Sequence, residues 1–118
     1  MNTLIILNDP PYGTERTYNG LRLAANMLRM SERELHLVVF LMGDAVVSAK
    51  KGQKTPNGYY NVEKMISVVA KRGADVLLCG TCMDARGMTD DEVVQGARRS
   101  TLDELTRATL DSPRVLVF

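Results

Sequence analysis

The sequence lacks an excess of charge of either sign. Its 15 lysines and arginines are balanced by 14 aspartates and glutamates, which leaves a net charge of +1. Nucleic-acid binding normally rests on a strong basic field. The near-neutral balance therefore argues against a nucleic-acid partner.

Long apolar runs are absent as well. No run reaches the roughly 18 residues that a membrane-spanning helix needs. Residues 1–7 lead straight into an Asn-Asp-Pro-Pro turn, without a basic segment or a cleavage site. We expect a cytoplasmic protein with no membrane partner.

Cysteine and histidine are scarce. The sequence has Cys79 and Cys82, three positions apart, and a single histidine, His36. Two cysteines are too few to staple a secreted domain, and in a reducing compartment such a pair is more often reactive or metal-binding than structural. A structural zinc site needs four ligands, and His36 falls inside an apolar run, so we expect no metal.

What the sequence does contain is typical of a globular protein. Its 118 residues, of which 45% are hydrophobic and 25% charged, fit one domain over residues 1–118. Continuous apolar runs that end at turn residues are typical of strands buried on both faces. They predict four strands, at Thr3–Leu7, Leu35–Met42, Ala74–Cys79 and Val115–Phe118.

Helical spacing and capping residues occupy the intervals between these strands. Apolar residues at helical spacing predict a helix over about 15–29 and a second one that starts after Asn61 and ends at Gly73. Asp44 is the predicted N-cap of a short helix over residues 44–50. Two capping boxes, Thr89-x-x-Glu92 and Thr101-x-x-Glu104, predict a short helix from about 90 and another over about 101–111. The polar stretch Lys50–Tyr60 is a candidate lid.

Strands without polar alternation, separated by helices, indicate an α/β fold with helices on both faces of a parallel sheet. In such sheets ligands bind beyond the carboxyl ends of the strands. The loops there hold Asn8, Tyr12, Asp44 and the segment Cys79–Gly87. Tyr12 and Asp44 each have a purely structural interpretation as well. In it, Tyr12 simply covers the end of the sheet, and Asp44 simply caps a helix. No glycine-rich phosphate loop is present, so we expect no nucleotide cofactor.

Cys79 ends a predicted strand, where its thiol is both held and reachable. Only the thiolate is nucleophilic, and a nearby cation or helix amide increases the ionised fraction. We predict that Arg86 and the amides near Thr89 lower the pKa of Cys79. The alternative is a buried, inert cysteine.

Cys82 completes a Cys-x-x-Cys pair. A thioredoxin-like motif is expected just before a helix, whereas this pair is predicted to follow a strand and precede a turn. Cys82 is therefore either a surface thiol or a resolving or assisting thiol for Cys79.

At these residues the chain resembles the DsrE/DsrF-like sulfur-relay family, and most closely its YchN-like branch. The most specific match is the segment Cys-x-x-Cys-x-Asp-x-Arg-Gly. The matching pieces spread over nearly the whole chain and comprise Pro11–Gly13, Phe40–Val46, Gly52–Lys54, Gly58–Tyr59 and Leu78–Gly87.

The resemblance implies a three-layer αβα domain with a small, mostly parallel sheet of four to five strands and a flavodoxin-like topology. It also implies a homo-oligomer, either a trimer or a hexamer, that exchanges sulfur with donor and acceptor proteins. In sulfur-relay members the carrier cysteine lies eight positions before a glycine that corresponds to Gly87, so the carrier role falls on Cys79. The implied catalytic residues are Cys79, Cys82 and Arg86, and the implied binding residues are Tyr12, Asp44, Gln53 and Gly87.

Two alternatives from other functional classes stay open. One is a noncatalytic oligomeric module that binds a small ligand between subunits. The other is a dithiol redox protein that uses both cysteines. Apolar side chains beyond those that fill the predicted layers favour an oligomer. They are Met27, Met30, Met42, Val46, Val47, Met83 and Met88.

Overall fold

Five parallel strands and four α-helices make up the fold in the computed structural model, which describes residues 2–31 and 34–118. The strands are β1 (Asn2–Leu7), β2 (His36–Leu41), β3 (Asp75–Cys79), β4 (Ala97–Ser100) and β5 (Arg114–Val117). The helices are α1 (Arg16–Met30), α2 (Val62–Lys71), α3 (Gly80–Ala85) and α4 (Leu102–Asp111). Two 3₁₀ segments, Gly43–Ala49 and Asp90–Glu92, complete the set. No helix in this described part is long and apolar enough to cross a membrane.

The strand order in the sheet is β4-β3-β2-β1-β5. The chain adds β2, β3 and β4 in turn on one side of β1, and α4 then carries it back to place β5 on the other side. Because crossovers between parallel strands are right-handed, this reversal puts α4 on the opposite face from α1 and α2. The predicted αβα class is confirmed. The predicted flavodoxin-like strand order is not found. In flavodoxin the second strand lies at an edge of the sheet, whereas β2 lies at the centre of this one.

The two faces of the sheet are buried unequally. On one face, Ile5, Leu37 and Val39 pack against apolar residues of α1 and α2 in a large core. On the other face a small group, which we call the α4-side cluster, consists of Leu4, Val38, Phe40, Leu77 and Leu105. In the described residues, α4 is the helix that covers this second face, and Leu105 is its one fully buried residue.

The two edge strands differ from their predictions. No strand was predicted at Ala97–Ser100, because its two central residues are arginines and leave no apolar run. In the structure their guanidinium groups donate to the carboxylates of Glu104 and Asp90. An edge strand has one neighbour and needs no continuous apolar run. The final strand was predicted to be buried, yet Val115 and Val117 of β5 are exposed.

Most of the predicted helix caps are confirmed. The Asn61 side chain accepts a hydrogen bond from the Lys64 amide, 3.1 Å away, and starts α2. The box at Thr89 forms, although it starts only a three-residue 3₁₀ turn. The Thr101 side chain caps α4 by accepting from the Glu104 amide, but the second half of the predicted box is missing from the described hydrogen bonds, because the Glu104 carboxylate is bound elsewhere. The Glu104 carboxylate binds Arg98 and Ser100, and its hydrogen bonds, above all those from Arg98, lower the pKa of Glu104 to about 2.

The residues that suggested an excess of apolar surface are largely accommodated within the chain. Met83, Met88 and Val46 are fully buried, and Met27, Met42 and Val47 are half-buried. Met30, at 62% exposure, is the one of these seven that lies open. The expectation that these seven residues form exposed apolar surface for an oligomer contact is therefore wrong for most of them.

Leu105 gives a direct test of how the second face is held. We expect Leu105→Ala to lower the free energy of unfolding by about 2–4 kcal/mol, because it removes the buried anchor of α4 and leaves a cavity. Arg107→Ala is the control on the same helix, since Arg107 is exposed, and it should change stability by less than about 0.5 kcal/mol. Urea unfolding followed by circular dichroism measures both, and equal losses would contradict the packing described.

Candidate functional site

The site lies at the carboxyl end of β3. Cys79 is the last residue of this strand and at the same time the N-cap of α3. The segment after Cys79 was predicted as an exposed loop and turn, but residues 80–85 form a helix. Met83 explains the difference, because it is fully buried in the large core and ties the short helix down.

The Cys79 thiol is half-buried and touches two side chains of α3. Its sulfur lies 3.3 Å from the Thr81 hydroxyl and also accepts a hydrogen bond from the Cys82 thiol. Partial burial raises the pKa of Cys79, but these side-chain hydrogen bonds and those of the Thr81 and Cys82 amides outweigh it. The net pKa of Cys79 lies below its ordinary value, so the thiolate that sulfur chemistry needs is favoured.

Cys82 behaves in the opposite way. Its burial and the hydrogen bond that it gives to Cys79 raise its pKa, while a hydrogen bond from the Gly43 amide and the charge of Arg86 act against this rise. The net pKa of Cys82 lies above its ordinary value. The two thiols therefore interact and are unlike, and Cys79 has the larger ionised fraction at neutral pH.

Arg86 does not act where it was predicted. Its Nε and Nη2 donate to the Asp44 Oδ1 at 3.1 and 2.8 Å, and its Nη1 donates to the Cys82 carbonyl at 3.1 Å. The effect of Arg86 falls on Cys82, and the amides that favour the Cys79 thiolate are those of α3 and not those near Thr89. Asp44 lies in the first turn of the 3₁₀ helix, and its carboxylate binds Arg86 instead of capping that helix.

Tyr12 and Gln53 bind each other. The Tyr12 hydroxyl donates to the Gln53 Oε1 at 2.6 Å and accepts from the Val62 amide at 3.1 Å. The Gln53 side chain also donates to the carbonyls of Ser48 and Lys50. These bonds anchor the start of the 50–60 segment, so its first residues are fixed rather than free to close as a lid.

The turn at the end of α3 depends on Gly87. Its φ is +63°, a left-handed conformation that glycine adopts at little cost. Its amide donates to the Asp84 carbonyl at 3.1 Å and closes the helix. Gly87 therefore shapes the loop around the thiols, which is a backbone role.

Several contributors to the site carried no sequence signal of their own. Thr81 contacts the Cys79 sulfur, and Gly43 contacts the Cys82 sulfur through its amide. Arg99, on β4, donates to the Gly80 carbonyl at 3.1 Å and pairs with Asp84 at 3.0 Å. The motif Cys-x-x-Cys marked the segment that contains Thr81, whereas Gly43 and Arg99 come from distant parts of the chain.

The chemistry that this arrangement supports is that of thiols. Over residues 2–31 and 34–118, no three His, Cys, Asp or Glu side chains are grouped so as to hold a metal ion. Both cysteines are free and partly accessible. A thiolate with a neighbouring thiol suits sulfur transfer and thiol–disulfide exchange.

Comparison with known proteins identifies relatives of the whole chain. The sequence model of the DsrE/DsrF-like family matches residues 1–118. Protein YchN of Escherichia coli strain K12 is 41% identical over 115 residues, which cover 98% of this chain and 97% of that protein. An uncharacterized protein of Methanocaldococcus jannaschii is 31% identical over 118 residues, which cover 100% of both.

Solved structures agree with this relationship. The crystal structure of the Escherichia coli YchN protein matches with a TM-score of 0.91 and 40% identity, covering 99% of this chain and 98% of that one. A protein of unknown function from Methanobacterium thermoautotrophicum matches with a TM-score of 0.80 at 13% identity, covering 99% and 98%. This second match shows the fold alone.

Because the pKa of Cys79 is lowered and that of Cys82 is raised, we expect the two thiols to be alkylated with separate pH profiles. Iodoacetamide should modify Cys79 at lower pH than Cys82, because only thiolates react and the pKa of Cys79 is the lower one. Cys82→Ala should move the Cys79 profile to higher pH by removing a hydrogen bond to its sulfur. Arg86→Ala should move the Cys82 profile to higher pH and leave that of Cys79 near its place.

Mass spectrometry of digested peptides measures both profiles in one sample. A Cys79 profile that moves with Arg86→Ala and not with Cys82→Ala would contradict the assignment of these contacts.

Proposed function

The chain belongs to the DsrE/DsrF-like family, and we propose that it is a sulfur-relay protein in which Cys79 accepts a sulfur atom as a persulfide and passes it on. The observation that carries this proposal is the state of the Cys79 thiol. It is partly accessible at the end of β3, and hydrogen bonds from α3 favour its thiolate. Access and ionisation are what a persulfide acceptor needs.

Each transfer is an exchange between sulfur atoms. The Cys79 thiolate attacks the outer sulfur of a donor persulfide, a new S–S bond forms, and the donor's S–S bond breaks. The donor leaves as a thiolate, and Cys79 carries the persulfide. An acceptor thiolate then attacks the outer sulfur in the same way and releases Cys79. No electrons are gained or lost overall, and the donor and acceptor are thiol proteins.

The residues around Cys79 serve this exchange in different ways. Thr81 and Cys82 hold the thiolate by hydrogen bonds, so Cys82 assists whether or not it takes up sulfur itself. The pair of Arg86 and Asp44 fixes α3 against the 3₁₀ helix that follows β2. Tyr12 and Gln53 hold the neighbouring loop, and Gly87 closes α3. The thiols must stay reduced, which fits the expected cytoplasmic location.

A dithiol redox protein is the second candidate function. The observation that favours it is that Cys-x-x-Cys opens a helix, with Cys79 as the N-cap and Cys82 in hydrogen-bonding contact. The sequence predicted a turn at this place and gave the motif less weight for that reason. Thiol–disulfide exchange would use both sulfurs of this pair.

Loading with a small persulfide donor distinguishes these functions. Wild type and Cys82→Ser should gain the mass of one sulfur atom after brief exposure to glutathione persulfide, as read by intact mass. Cys79→Ser should lose this gain, because the thiolate that attacks the donor is gone. Full loading of Cys79→Ser would contradict the carrier role. Loss of loading in Cys82→Ser would favour the dithiol function, and a noncatalytic ligand-binding module would show no loading in any variant.

We propose in addition that the protein is a homo-oligomer, a trimer or a hexamer. The observation that supports an oligomer is the apolar surface left exposed on α4 and β5, on the face of the sheet that α4 alone covers in the described residues. Its most open members are Leu102, Leu110, Val115 and Val117. Surfaces of this kind on small proteins are typical of subunit contacts.

Light scattering at low micromolar concentration tests the assembly. We expect three or six times the chain mass of 13.1 kDa. Val117→Asp should lower the measured mass, because it places a charge in the apolar surface. Met30→Asp is the control, since Met30 is exposed to a similar degree, 62% against 64%, but lies on α1 across the sheet. A wild-type particle of one chain mass would refute the proposal.

A further inference from the structure

We propose that Cys82 discharges the Cys79 persulfide as hydrogen sulfide, so that the chain has a sulfide-releasing activity besides sulfur relay. This inference rests on the proposed persulfide at Cys79. It assigns to Cys82 a chemical step of its own, which the relay reaction does not require.

The geometry of α3 places the two sulfurs for such a step. Cys79 is the N-cap and Cys82 lies in the first turn, so their side chains stand on the same side of the helix. The Cys82 thiol donates a hydrogen bond to the Cys79 sulfur. When Cys79 carries an extra sulfur, the atom next to Cys82 is the inner one, which stays bonded to Cys79.

Because the Cys82 sulfur lies next to the Cys79 sulfur, Cys82 attacks the inner sulfur of the persulfide. The Cys82 thiolate forms an S–S bond with the Cys79 sulfur, and the bond between the inner and outer sulfurs breaks. The outer sulfur leaves as HS⁻ and takes a proton to give H₂S. Cys82 is oxidised from a thiol to one half of a disulfide, and the outer sulfur is reduced to sulfide. A dithiol reductant, such as dithiothreitol in the test tube, returns the Cys79–Cys82 disulfide to two thiols.

The surroundings of Cys82 suit a sulfur that attacks the persulfide more slowly than an external acceptor thiolate does. The Gly43 amide donates to the Cys82 sulfur, and the Arg86 guanidinium, bound to Asp44 and to the Cys82 carbonyl, lies close by. Both favour the thiolate as it forms. Burial and the contact with Cys79 keep the pKa of Cys82 above its ordinary value, so few molecules hold this thiolate at neutral pH. An acceptor thiolate that arrives early takes the sulfur first, and discharge occurs in its absence.

The experiment follows one loaded protein over time. Wild type, Cys82→Ser and Thr81→Val are loaded with glutathione persulfide, freed of the donor by rapid desalting without oxygen, and sampled for intact mass and for sulfide trapped with monobromobimane. Thr81→Val also removes a side-chain contact to the Cys79 sulfur, so it should load more slowly than wild type. It is the comparison variant for discharge, because it keeps the Cys82 thiol and a loaded chain should still release its sulfur.

Wild type and Thr81→Val should lose the added sulfur, release about one sulfide per chain and end about two hydrogen masses below the reduced protein, as a disulfide does. Cys82→Ser should keep its persulfide at least about tenfold longer. The half-life in wild type should not depend on protein concentration, because both sulfurs belong to one chain.

Other outcomes separate this inference from the carrier proposal. If wild type and Cys82→Ser both load and then lose sulfur at the same rate, Cys82 does not discharge the persulfide, and the carrier role stands. A wild-type rate that rises in proportion to protein concentration also overturns the inference, because the attack would then come from another chain. If no variant loads at all, the carrier proposal itself fails.

Discussion

The close packing of Gly80 against β4 is the constraint on which the site depends. A side chain at this position would place its Cβ 3.0 Å from the Ser100 carbonyl oxygen, which is backbone and cannot move aside cheaply. Without that Cβ, α3 starts directly where β3 ends. Cys79 is then both a strand end and a helix cap, and Cys82 comes into contact with it one turn later. A longer connection would have separated the two thiols.

The same close approach is held from the side by Arg99. Its guanidinium donates to the Gly80 carbonyl and pairs with Asp84 on α3 and with Asp90 beyond it, at 3.0 and 2.7 Å. Each pair is partly open to solvent and contributes little stability alone. Together they fix the position of a six-residue helix, which is too short to be stable by itself in water. An edge strand rich in arginine is therefore part of the support for the thiols.

The parts of the structure that sequence patterns predicted are those in which local signals agree with the fold. The runs that became β1, β2 and β3 are apolar because both faces of the sheet are covered, and Asn61 and Thr101 cap helices by contacts three residues away. The prediction for β4 failed because an edge strand can be polar, and the prediction for α3 failed because a six-residue segment has no room for an apolar repeat. For the site, the motif located Cys79 and Cys82. It did not show that Asp44 meets Arg86, which lies 42 positions away, since such a pairing depends on the tertiary fold.

The unequal covering of the sheet connects the thiol with the outer surface. Cys79 packs against both cores, the large one under α1 and α2 and the α4-side cluster. Half-buried Ile6 and Met42 border the same small cluster, and Val117, the register partner of Ile6, is exposed beside them. A surface that covered the α4 face close to Cys79 would change the burial of this thiol, and burial opposes the hydrogen bonds in setting the pKa of Cys79. Further burial of Cys79 would oppose the thiolate, whereas the amides of α3 continue to favour it. In the proposed oligomer, a subunit surface that covers Val117 and Leu110 would have to leave the Cys79 sulfur open for the proposed carrier role.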